Sequence, residues 1–93
     1  MGKINADGSV AKITTGYTVA RLGTGRYQIN IPAAQRTDAN YTIQLTPFAN
    51  GTGVNQYIVI SYYDQTPSDF KVEIKNYYAS LINREFMFTI LNF

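Results

Sequence analysis

The chain has 93 residues, a net charge of +2, no cysteine and no histidine. A chain this short is one domain with a modest core, burying about 60–65% of its unfolded surface. The absence of cysteine and histidine excludes disulfides, thiolate metal sites and the commonest general base.

The start, "MGKINADGSV", holds no hydrophobic signal region. Residues 1–8 read as a join to a preceding shaft or as an added start, within which "KIN" is able to form a strand. Residues 9–93 read as a single head domain. "SVAKI" suggests a short strand on Val10 and Ile13. "YTVARL" alternates with period two, placing Tyr17, Val19 and Arg21 on one face and Thr18, Ala20 and Leu22 on the other. "GTG" follows, and "RYQINI" then sets Tyr27, Ile29 and Ile31 against Arg26, Gln28 and Asn30. Two alternating runs around a glycine-bounded loop predict a β-hairpin. Pro32 ends it, because proline cannot donate to a ladder.

"AAQRTDA" reads as a connection. "NYTIQLT" points Tyr41, Ile43 and Leu45 inward and Asn40, Thr42, Gln44 and Thr46 outward. "PFANGTGVN" is a turn-rich loop with an Asn-Gly step. "QYIVISYY" is apolar on both faces, and "DQTPSD" is a turn. "FKVEIK" sets Phe70, Val72 and Ile74 against Lys71, Glu73 and Lys75. "NYYASLIN" fits either a loop or one short helical turn. "EFMFTILNF" is a strand, again apolar on both faces. Seven to eight short strands at about ten-residue spacing predict a small all-β antiparallel sandwich, jelly-roll-like. The eight tyrosines and five phenylalanines agree with strands and binding surfaces.

A strand in a small sandwich meets the core with one face. The runs 57–62 and 86–91 offer two apolar faces, so the second face needs a cover. Either a long loop or the amino-terminal segment lies across it, or a second copy of the chain does. The latter predicts an oligomer interface at Tyr57, Val59, Phe86, Phe88, Ile90 and Phe93.

"DGSVAKITTGYTVARLGTGRYQINI", "DANYTIQLTP", "FKVEI" and the closing "EFMFTILNF", in this order, resemble a small β module found at the carboxy-terminal tips of phage tail fibres and related bacterial surface proteins. Tyr17, Val19, Arg21, Gly23, Gly25, Tyr27, Asn40, Tyr41 and Ile43 carry the likeness, which covers most of residues 7–93. The module is similar to the jelly-roll heads of complement and tumour-necrosis-factor proteins. It implies a homotrimeric knob on a virion tail fibre or other extracellular surface, attached to a host surface glycan or protein. The segments "PFANGTGVNQ" and "NYYASLINR" depart from the module.

Catalytic chemistry finds little support. Ser9, Ser61, Ser68 and Ser80 have no histidine to pair with. Asp64 and Asp69 flank one turn, where aspartate commonly opens and caps turns. As calcium ligands they fall short of the six to eight oxygens required. "GTG" and "GTGVN" lack the pattern of a phosphate loop. "NYT" at Asn40 and "NGT" at Asn50 match a glycosylation sequon by chance. The expectation is therefore a non-enzymatic head with no cofactor and no metal. The eight cationic side chains are scattered, so nucleic acid is not an expected partner. No apolar run approaches the ~20 residues needed to cross a membrane. Tyr62, Tyr63, Tyr77, Tyr78 and Arg84 are the expected receptor-contacting residues, since tyrosine offers large contact area at small entropic cost. A purely structural trimerisation cap, or a monomeric carbohydrate-binding module, are the alternatives.

Overall fold

The computed structural model describes residues 1–35, 38–48 and 58–91. Among the described residues eight strands form: β1 (Gly2–Ile4), β2 (Val10–Ile13), β3 (Thr18–Gly23), β4 (Arg26–Asn30), β5 (Thr42–Pro47), β6 (Val59–Tyr63), β7 (Asp69–Lys75) and β8 (Phe86–Leu91). They pair antiparallel into two four-stranded sheets, ordered β2-β1-β8-β5 and β3-β4-β7-β6. The sheets pack face to face as a small β-sandwich, and β5 lies against β6 where their edges meet. A 3₁₀ turn at Ala33–Gln35 follows Pro32.

Alternation decides which side chains enter the core. Tyr27, Ile29, Phe70, Val72 and Ile74 from one sheet, and Ile4, Phe86 and Phe88 from the other, are buried, with Tyr17, Ile31 and Tyr41 closing the ends. Aromatic rings form much of the contact between the sheets. Tyr27 meets Phe86 at 5.1 Å between ring centroids, and Phe70 meets Phe88 at 6.0 Å, edge to face. Such tilted pairs add roughly 0.5–1.5 kcal/mol each to the area they bury.

The predicted hairpin forms with β3 and β4 in the expected register, Val19 opposite Ile29 and Arg21 opposite Tyr27. A bulge between Arg21 and Gly23 lets the chain turn through Thr24 and Gly25. The faces expected for 41–46 and 70–75 are the ones observed.

Two expectations are corrected. Residues 1–8 are not an appendage: β1 is an inner strand, paired on one side with β2 and on the other with β8, and Ile4 is fully buried. Gly2 packs so close to β8 that a Cβ there would stand 2.6 Å from the Phe88 ring. The second correction concerns the interface. Phe86 and Phe88 lie inside one chain, and Ile90 packs against the same core. The outward face of β8 carries Met87, Thr89 and Leu91 instead, opposite Thr46, Gln44 and Thr42 of β5. Phe86 and Phe88 therefore have no surface to give a second copy. Among the other expected interface residues, Val59 is exposed on β6, while Tyr57 and Phe93 lie outside the described residues.

Candidate functional site

Strand direction gathers three connections at one end of the sandwich: the β1–β2 turn, the β3–β4 turn and the segment 76–85 that leads from β7 to β8. Asn83 ties them together. Its side-chain oxygen accepts the Gly25 amide at 2.9 Å and faces the Arg21 Nε at 3.4 Å. The Tyr27 hydroxyl, arriving from the core, donates to the Ala6 carbonyl at 2.6 Å and lies 3.5 Å from the same Asn83 oxygen. Burial pushes the Tyr27 hydroxyl pKa up, and the Arg84 backbone N–H directed at it offsets part of that rise. Asp7 closes the β1–β2 turn by accepting from the Ser9 hydroxyl at 2.6 Å and the Ser9 amide at 2.9 Å. Those bonds to the ionised form hold the Asp7 carboxyl below its ordinary range.

The ambiguous segment "NYYASLIN" is a turn followed by a single bridge from Leu81 back to Lys75. Asn76 fixes it. Its side-chain oxygen accepts the amides of Tyr78 at 2.9 Å and Ser80 at 3.1 Å, while its backbone N–H donates to the Ser80 carbonyl. Ala79 completes the turn at φ +62°, a conformation that costs a non-glycine residue about 1 kcal/mol. On this frame the rings of Tyr77 and Tyr78 stand nearly perpendicular, centroids 5.3 Å apart, with 64% and 68% of their surface exposed.

The five expected contact residues do not form one patch. Tyr63 pairs with Lys71 at the far end of the β6–β7 hairpin. The strand from Lys71 to Lys75 therefore separates it from Tyr77 by at least ~13 Å at about 3.3 Å per residue. Tyr62 faces the inner side of that edge strand, half-exposed beside Val72, whereas Tyr63 points outward. Arg84 shares the end of Tyr77 and Tyr78, but it is partly buried, and its Nε has no hydrogen-bond partner among the described residues.

Asp64 and Asp69 take different partners. Asp64, at φ +49°, pairs with Lys71 at 3.8 Å. Asp69 instead joins a turn network in which the Thr66 hydroxyl is 3.2 Å from its carboxylate and receives its amide at 3.1 Å. Among the described residues, no group of three acidic side chains comes together to hold a metal ion.

Asn83 escaped the sequence reading. A lone asparagine in a loop gives no signal of its own, and its importance appears only when Gly25 and Tyr27 are brought beside it. Comparison with protein-family models, with curated proteins and with solved structures finds no match for this chain.

Proposed function

We propose that the chain is a non-enzymatic recognition head, the tip domain of a phage-type fibre, which attaches to a glycan or protein on a host bacterial surface. The observation that supports this reading is the Tyr77–Tyr78 pair. Two large rings stand in water on a turn whose geometry carries backbone strain. Burying a ring is worth roughly 1.5–3 kcal/mol, so a ligand that covers both gains much from them. A pre-set pair also loses little side-chain entropy on binding. Ring faces suit the apolar faces of sugars, and the hydroxyls supply hydrogen bonds. The order of motifs, which resembles that of tail-fibre tips, supports the host-surface setting.

The resemblance further implies three copies on a fibre, where weak sites acting together gain effective concentration. Since Phe86 and Phe88 are enclosed, such an assembly uses outward residues away from them, such as Val59, which is exposed on the edge strand β6.

The test is a labelled head screened on a panel of bacterial cells and a glycan array, with its mass measured in solution. Binding should fall at least tenfold in Tyr77→Ala/Tyr78→Ala at unchanged melting temperature, and the mass should be that of a trimer. Equal binding by the double variant removes this pair from recognition, and a monomeric mass removes the trimer.

A further inference from the structure

An open groove of about 480 Å³ lies where β1 begins, beside β2 and β8. Lys3, Lys12, Met87 and Thr46 share the outer face of this sheet, for Lys3 stands opposite both Lys12 and Met87 in the strand register, and Met87 stands opposite Thr46. The apolar part of the lining comes from Ile13, Met87 and Phe88, with Met1 beside them. The volume falls within the roughly 300–1,000 Å³ range of small-molecule sites, which are mostly apolar with a few placed polar groups.

We propose that this groove binds a carboxylate amphiphile, a single anionic group on an apolar body. The charge argument comes first. Among the described residues no acidic side chain lines the groove, whereas two lysines do. Like charges directly opposite on neighbouring strands repel. Glu85 partly offsets Lys3 at 3.8 Å, but Lys12 has no ion-pair partner among the described residues. An anion seated between the two ammonium groups relieves that repulsion. Threonine and glutamine side chains at Thr46, Thr89 and Gln44 supply further hydrogen-bond donors for its oxygens.

The apolar body follows from Met87. It is 48% exposed on an inner strand of the sheet, and methionine adapts to ligands of varied shape. A second copy docked face to face about a two-fold axis through this groove is disfavoured, because each lysine pair would meet the other pair. This site is independent of Tyr77 and Tyr78, so its failure and theirs are separable.

The experiment is an NMR titration of the whole chain with decanoate below its micellar concentration. Octyl glucoside serves as the neutral amphiphile and tetragalacturonate as an anion without an apolar body. Decanoate should shift the amides of Lys12, Met87 and Thr89 saturably, and the other two should leave them in place. Lys12→Gln should weaken decanoate binding about fivefold, the upper range for one exposed ion pair. Lys12→Met, which keeps an apolar side chain without the charge, should do the same. Met87→Asp should abolish binding.

Overturning results are equally definite. Octyl glucoside binding as tightly as decanoate would show an apolar surface without charge recognition. Tetragalacturonate binding in place of decanoate would assign an acidic glycan instead. No saturable shift with decanoate, or an affinity indifferent to both Lys12 variants, would leave no such site.

Discussion

The side-chain oxygen of Asn83 accepts the amide hydrogen of Gly25 at 2.9 Å, across 58 positions of sequence. This bond holds the β3–β4 turn against the β7–β8 connection. Gly25 sits at φ +70°, its carbonyl accepts the Ile74 amide at 2.8 Å, and a Cβ there would meet the Ile74 carbonyl oxygen at 2.7 Å and the Ile82 backbone at 2.9 Å. Those neighbours are main chain and cannot swing aside.

Gly25→Ala should therefore cost more than about 2 kcal/mol, adding the left-handed conformation, ~1–2 kcal/mol, to the displacement of two backbone segments. Asn83→Leu should cost about 1–3 kcal/mol by leaving the buried Gly25 amide without its acceptor. Urea unfolding measures both. A Gly25→Ala protein as stable as the parent would mean that the turn relaxes away from Ile74 and Ile82.

Phe88 and Met87 are chain neighbours with opposite fates. Phe88→Ala should lose about 3–5 kcal/mol, since its ring packs against Tyr17 and Phe70 in the core. Phe88→Asp should not fold, because a carboxylate would enter an apolar interior without a partner. Met87→Asp, on the outer face beside Lys3, should stay folded and lose no more than about 1 kcal/mol. Circular dichroism and chemical denaturation separate these outcomes. A folded Phe88→Asp protein would contradict the placement of β8.

Ala79 gives a prediction of the opposite sign. Its φ of +62° is one that glycine adopts freely. Ala79→Gly should raise stability by up to about 1 kcal/mol, reduced by the greater freedom glycine brings to the unfolded chain. Asn76→Ala should lower it by a similar amount, by removing the acceptor of the Tyr78 and Ser80 amides. Thermal melting reads both. A destabilised Ala79→Gly protein would show that the turn is not strained there.

Period-two alternation made the strands legible, because in β4, β5 and β7 each outward position is polar and each inward one apolar. The same rule failed to tell the faces of β8 apart. With Phe86, Phe88 and Ile90 on one side and Met87 and Leu91 on the other, alternation gives two greasy faces and no sign of which is inside. The partner strand decides: Gly2 leaves room for the Phe88 ring, and only long-range pairing puts Gly2 there. The same limit hid the role of residues 1–8, since a three-residue strand carries almost no periodic signal. The tyrosine pairs were visible as composition, but their separation along the β6–β7 hairpin follows from register. Likewise, Lys3 and Lys12 looked scattered until β1 and β2 set them side by side.

Tyr41 makes the fold sensitive to alkali. Its ring lies 6.3 Å from that of Phe70, and its hydroxyl donates to the carbonyls of Thr66 at 2.7 Å and Asp69 at 2.9 Å. Burial, helped by the nearby Asp69 carboxylate, pushes its pKa up to about 12 from an ordinary value near 10. The folded state thus keeps the phenol proton that the unfolded state gives up first. Stability from this group is complete below about pH 10 and is lost as the pH rises from about 10 towards 12. At ~1.4 kcal/mol per unit, the loss across that window is on the order of 2 kcal/mol. Burial raises the Tyr17 and Tyr27 hydroxyls in the same direction, so they add to the slope. Tyr41→Phe should cost about 1–2 kcal/mol at pH 7 through its lost hydrogen bonds, and its stability should then fall less steeply between pH 10 and 12. Denaturation midpoints measured across that range provide the check: parallel slopes for parent and variant would mean that Tyr41 ionises in the folded chain as readily as in the unfolded one.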